Sequence, residues 1–106
     1  INYLYSNNAT RYYMIRSFHD KNSILVFKRE FSNKIPLEIH RIAHRKLLLI
    51  HAADSINNLR SPRGNRLELL KENRQGQYSI RINAKWRICF YWIENNAYKV
   101  EITDYH

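Results

Sequence analysis

The strongest constraint on the fold lies in the last third of the chain, in two runs whose apolar residues fall on every second position. In "YSIRI", Tyr78, Ile80 and Ile82 face one way while Ser79, Arg81 and Asn83 face the other. In "WRICFYWI", Trp86, Ile88, Phe90 and Trp92 oppose Arg87, Cys89, Tyr91 and Ile93. A period of two belongs to strands packed by one face on a core. "NAK" turns the first run into the second, and "ENN" is a hairpin-type turn into a further strand, "AYKVEIT". "RLELL" precedes them as another strand, followed by the charged connection "KENRQGQ".

Ahead of this meander the period changes. "MIRSF", from Met14, reads as a short strand. "DKNSILVFKREF" reads as a helix, with Ile24, Leu25, Phe27, Lys28 and Phe31 recurring near the 3.6 period. "NKIP" breaks it, and Pro36 suits the first turn of a longer helix over 36–53. Ile39, Ile42, Ala43, Leu49, Ile50 and Ala53 form its apolar stripe. "SINNLRSPRGN" supplies a short helical turn and then a loop marked by Pro62 and Gly64. This order predicts an α+β domain, with two N-terminal helices packed on one face of a small antiparallel sheet. Residues 1–13 are rich in Tyr and Asn and show no period, while Met14 suits a natural start. The domain is therefore expected over 14–106, with 1–13 an upstream extension outside it.

A chain of 106 residues with 44% hydrophobic content can hold one modest core without disulfides. No run reaches the roughly 18 apolar residues of a membrane span, so no membrane partner is expected. The N-terminus lacks a secretory pattern. The single cysteine, Cys89, reads as a buried thiol, and a cytoplasmic location is expected. Charge points to a partner: 18 Lys and Arg against 9 Asp and Glu give a net +9, a field that attracts polyanions. Eight tyrosines and two tryptophans add faces on which unpaired bases can stack, although most are needed by strands and core.

Two groups of residues invite a chemical reading. His40, His44 and His51 lie within about 40° of one another on the longer helix. A His pair at i, i+4 has metal-ligand spacing. Yet the Glu of H-E-x-x-H is missing and Arg41 and Arg45 sit beside the pair, so a solvated basic face is expected. No metal or other cofactor is called for. The second group is spread over the strands. Arg81 and Arg87 project from neighbouring strands, Lys71 and Arg74 lie in the connection before them, and Glu68 on the strand leading into it. In a meander these can line one basic concavity, with Asp104, Tyr105 and His106 brought to its rim by the last strand. Arg and Lys can hold a phosphate and stabilise a pentavalent transition state. A carboxylate or imidazole can take a proton and an imidazolium can return one. Such a set meets the needs of RNA cleavage by a 2′-hydroxyl on its own phosphate, without metal. Ordinary edge charges on strands would look the same, so the spacing leaves RNA binding and RNA cutting both open.

"MIRSFHDK", "LRSPRGNRLELLK", "QYSIRINAKWRICFYW" and the closing "DYH" resemble the HigB toxins of the RelE/ParE-like group, the plasmid maintenance killer proteins. The resemblance runs from Met14 to His106 and implies a RelE-like α+β fold. It implies a toxin of a type II toxin–antitoxin system that cleaves mRNA in the ribosomal A site and halts translation. It also implies a HigA-like helix-turn-helix antitoxin, with operator DNA bound only through the toxin–antitoxin complex. By the resemblance Asp104, Tyr105 and His106 belong to the active end, and Lys71, Arg81 and Arg87 to the RNA contacts. Glu68 or Asp104 would act as base and His106 or Tyr105 as acid. Two departures stand out: some members carry His where this chain has Glu68, and the usual "KGDR" reads "KENR" at Lys71 to Arg74, with Glu72 in place of a flexible Gly. Two other readings belong beside this one: a non-catalytic inhibitor that binds RNA or the ribosome, and a gyrase inhibitor of the ParE branch.

Overall fold

A computed structural model describes residues 3–4 and 14–105. Strands β1 (Tyr3–Leu4), β2 (Met14–Ile15) and β3 (Ser17–Phe18) precede helices α1 (Lys21–Phe27) and α2 (His40–Ala52). Strands β4 (Glu68–Leu69), β5 (Tyr78–Arg81), β6 (Arg87–Ile93) and β7 (Asn96–Thr103) follow, with short 3-10 turns between. Strands β4 to β7 form the expected antiparallel meander. The whole sheet, however, is mixed, not antiparallel: β2 and β3 both run parallel to β7. Parallel pairing needs a long connection, and the two helices together with strands β4 to β6 lie between the paired strands. "MIRSF" gives no hint of this, because its pattern marks a strand without naming a partner. Of the segment 1–13, Tyr3–Leu4 is described and pairs antiparallel with β3.

The sheet and helices share one core. Ile80, Ile88, Phe90, Val100 and Ile102 from the strands cluster with Val26, Phe27, Ala43, Leu47 and Ile50 from the helices. Each large side chain buried this way contributes about 1.5–3 kcal/mol. The turn between β6 and β7 is tight: Ile93 pairs with Asn96 across Glu94 and Asn95, both at positive φ (49° and 64°). That is a type I′ geometry, whose twist matches that of the flanking strands.

Farther along, β7 carries a bulge. The register steps from Tyr91↔Tyr98 to Cys89↔Glu101, so β7 spends one residue more than β6. Lys99 takes a left-handed φ of 53° there, and Ala97 rather than Tyr98 enters the core. Two serines serve the β7 backbone on either side: Lys99 N donates to Ser17 Oγ (2.9 Å) and Ile102 N to Ser23 Oγ (3.0 Å).

Three expectations are corrected in the helical half. Helix α1 ends at Phe27 rather than continuing to Phe31. Arg29 turns to a left-handed φ of 64°, with Arg29 N donating to Val26 O and Glu30 N to Leu25 O. This is a Schellman-type stop made without glycine, so the sequence carries no signal for it. The longer helix begins one turn later, with a 3-10 turn over Leu37–Ile39 after Pro36. Finally, the three histidines do not form a solvated face. His40 Nε2 bonds the carbonyl of Ile35 (2.8 Å) and His44 Nδ1 that of Val26 (3.2 Å). His51 is buried, accepts from Ile15 N at Nδ1 (3.1 Å) and stands edge-on to Phe27. They tie α2 to the backbone of its neighbours, because the loop after α1 and strand β2 both pack along that side.

Candidate functional site

Alternation along the sheet sends a second set of side chains away from the core. Register places Ser79 beside Cys89 and Glu101, and Arg81 beside Arg87 and Thr103. Glu101 of this face lines a cleft of about 860 Å³, walled by β4 and the 71–77 connection on one side and by His19 on the other. Cys89 is fully buried beneath it. Burial, the largest cause, pushes its thiol up to about 11, so this sulfur stays protonated and inert at neutral pH.

The 71–77 connection is shaped by its own backbone. Glu72 holds a left-handed φ of 56° where a glycine would sit without strain, at a cost of about 1 kcal/mol or more. A 3-10 turn over Glu72–Arg74 then aims Arg74 back over the sheet. Arg74 Nη1 donates to Glu101 Oε1 (3.0 Å) and to Gln77 Oε1 (3.1 Å), while its guanidinium carbon lies 5.0 Å from the centre of the Tyr105 ring. Glu101 also faces His19, whose Nε2 is 3.8 Å from Oε2. Tyr91 and Lys99 complete that end of the cleft, with Nζ 6.0 Å from the ring centre. The bulge at Lys99 is what turns this side chain inward.

Arg87, on the same face of the sheet, is held by three neighbours. Its Nε donates to buried Ser79 Oγ (2.8 Å), its Nη2 to the carbonyl of Arg66 (2.9 Å), and the same nitrogen lies 3.5 Å from Glu68 Oε1. The loop that presents Arg66 is pinned from below. Asn65, fully buried, accepts from Lys46 and donates to the carbonyls of Leu59 (3.1 Å) and Ser61 (3.2 Å). Burial lowers the Lys46 pKa from its ordinary value, with Arg45 adding to the effect.

Of the residues singled out from sequence, Glu68, Lys71, Arg74 and Tyr105 line the cleft, and Arg87 reaches it through Glu68. Arg81 shares the same face by register but makes no side-chain bond among the described residues. Asp104 does not join the cleft lining: its carboxylate lies 3.7 Å from Lys85 Nζ. His106 lies outside the described residues. Three cations (Lys71, Arg74, Lys99) and three acids (Glu68, Glu72, Glu101) line the cleft, so the expected basic concavity is balanced in its lining, with Arg81 and Arg87 outside it. Sequence reasoning missed His19, Tyr91, Lys99 and Glu101. Alternation in "VEIT" puts Glu101 opposite Val100 and Ile102 and could have found it. His19 needed the parallel pairing, and Lys99 needed the bulge.

Comparison with known proteins bears on what such a cleft is for. A family model described as the RelE-like toxin of type II toxin–antitoxin system HigB matches residues 16–106. The chain is 36% identical over 94 residues to "Endoribonuclease HigB" of Proteus vulgaris, covering 88% of this chain and 100% of that protein. It is 41% identical over 63 residues to "Toxin HigB-1" of Vibrio cholerae, covering 59% of this chain and 66% of the relative. An "Uncharacterized protein" of Haemophilus influenzae is 44% identical over 64 residues, 60% of this chain and 62% of its own length. The match thus spans less than two thirds of the length of the last two relatives. With 91 consecutive residues matched, from 16 to 106, the chain belongs to the HigB-like family of RelE-like toxins.

Proposed function

We propose that this chain is the toxin of a type II toxin–antitoxin pair and an endoribonuclease that cuts mRNA in the ribosomal A site, by acid/base chemistry on side chains alone. The observation that carries this reading is the convergence of Arg74, Tyr105, Glu101 and Glu68 on one open cleft with Arg87 at its edge. Arg74 and Arg87 sit to hold and neutralise a scissile phosphate, with Lys71 exposed beside them. Glu68 is the base for the 2′-hydroxyl: it is exposed at the cleft wall and close to Arg87, whereas Asp104 is turned toward Lys85. The departing 5′-oxygen needs an acid, and Tyr105 and His106 of the active end are candidates for it. Tyr91 and Tyr105 offer faces for unpaired bases.

The ribosome would add what the cleft lacks, by fixing the mRNA in an in-line geometry, a contribution of several kcal/mol. A HigA-like antitoxin with a helix-turn-helix domain is the proposed partner, and the cytoplasm the proposed location. Among the described residues no helix is long and apolar enough to cross a membrane.

Primer extension on a reporter mRNA in a reconstituted translating system tests this directly. Discrete cuts that require the ribosome and weaken at least tenfold in Glu68→Gln and Arg74→Ala are expected. Translation arrest without cuts would leave a binding inhibitor, and DNA damage without mRNA fragments would point to gyrase.

A further inference from the structure

We propose that His19 is a further catalytic residue of this cleft, giving its proton to the 5′-oxygen that leaves when the RNA strand is cut. The proposal rests on the ribonuclease reading above. His19 stands where β3 ends and α1 begins, and three contacts fix it. Its backbone N–H donates to Val100 O (2.9 Å), the next residue, Asp20, caps α1 by accepting from Ser23 N (2.8 Å), and its Nε2 faces Glu101 Oε2 at 3.8 Å. Glu101 is itself held by Arg74 at 3.0 Å. The imidazole therefore stands beside a carboxylate that is itself oriented by a guanidinium, a setting suited to a proton-transfer group. Its side chain is 50% exposed and opens into the cleft, so it can touch a ligand.

Chemistry singles it out further. Among the described residues lining the cleft, His19 is the one imidazole, a side chain that serves often as a general acid in proton transfer. The charged groups around it are Asp20 on its own turn, Glu101 and Lys99 on β7, and Arg74 from the 71–77 connection. His19, Asp20 and Glu101 bring ligand atoms within 4.8 Å of one another, a spacing that would also suit a cation. Asp20 is occupied as a helix cap, however, and a dication bound by Glu101 would lie against Arg74. Proton transfer fits these partners; a metal does not.

The step balances without a co-reactant. The 2′-oxygen attacks phosphorus and its proton passes to the base. The bond between phosphorus and the 5′-oxygen breaks, and the proton on the His19 ring nitrogen turned away from Glu101 goes to that oxygen. The products are a 2′,3′-cyclic phosphate and a 5′-hydroxyl.

A substrate with sulfur in place of the 5′-bridging oxygen tests this, because a thiolate departs without needing a proton. Single-turnover cleavage is measured from pH 5.5 to 8.5 on ribosomes programmed with the oxygen or the sulfur mRNA. The proteins compared are the full chain, His19→Gln, His19→Asn and the chain lacking His106. Expected is a loss of about 100-fold on the oxygen substrate for either His19 variant. The high-pH fall in rate should vanish with that loss, and the rate should return to within a few-fold of the full chain on sulfur. Cleavage by both His19 variants at the full rate overturns the proposal. So does an equal loss on both substrates, which would mark a structural role, or sulfur rescue confined to the chain lacking His106. Where one variant does not fold, the other is read. Absence of cuts by the unaltered chain on either substrate would instead remove the ribonuclease reading and this proposal with it.

Discussion

Arg74 and Glu101, 27 residues apart, meet at 3.0 Å and join the 71–77 connection to the centre of the sheet. Their side chains are 23% and 17% exposed, so the pair is neither a loose surface bridge nor a dry core pair. It does two jobs: it sets where the guanidinium can meet a phosphate under Tyr105, and it holds the carboxylate that faces His19.

Removing one partner should therefore cost more than removing both. Arg74→Ala leaves Glu101 over the buried Cys89 without its main donor and is expected to lower the unfolding free energy by about 1–3 kcal/mol. Glu101→Gln should cost less, since an amide oxygen can still accept from Arg74. A double-mutant cycle with Arg74→Ala and Glu101→Ala, read by urea unfolding, should return a coupling of about 1 kcal/mol. Additive losses would mean the pair does not act as a unit.

How much of this was legible follows from which signals are local. The meander was, because the alternation in "YSIRI" and "WRICFYWI" is read one residue at a time. Its strands pair in chain order, so Glu68, Arg81 and Arg87 could be brought near one another on paper. What could not be read depends on contacts distant in sequence or on backbone irregularity. The parallel pairing of Phe18 with Val100 puts His19 in the cleft, and nothing in "MIRSFHDK" names Val100 as the partner. The left-handed residues Arg29, Glu72 and Lys99 stop a helix, shape a loop and make a bulge, and in none of them does a glycine give notice. The histidines of α2 were misjudged for a related reason: helical spacing tells which face they share but not what lies against it.

Cys89 makes a pH-dependent contribution whose sign is fixed. Burial raises its pKa to about 11 from 9.0, so the folded chain keeps a proton that the unfolded chain releases. The resulting stability is fully present below pH 9 and is lost as pH rises from about 9 to about 11. Two units correspond to about 3 kcal/mol. Many groups titrate in that range, so the useful quantity is the difference from Cys89→Ala. That difference should shrink by about 2–3 kcal/mol between pH 8 and pH 11 in urea unfolding. A constant difference would show that the thiol is not held away from solvent. Alkylation of Cys89 in the folded chain should likewise be slow at pH 8 and follow global unfolding.

Lys71 and Arg87 should separate RNA contact from structural support. Lys71 is exposed and makes no side-chain bond among the described residues, whereas Arg87 serves Ser79, the Arg66 carbonyl and Glu68. If both meet phosphates, each removal should flatten the dependence of log affinity on log salt by about 0.7 for a single-stranded RNA. Only Arg87→Ala should also destabilise the fold, by about 2 kcal/mol, since it leaves the buried Ser79 hydroxyl without its partner. Lys71→Ala should stay within about 0.5 kcal/mol of the unaltered chain. Fluorescence anisotropy with an unstructured oligonucleotide over a KCl series, beside urea unfolding, gives both readings. An unchanged slope in Lys71→Ala would take that residue out of the RNA path. An unchanged slope in Arg87→Ala, with stability lost, would make Arg87 a strut of the cleft and leave Arg74 as the phosphate contact.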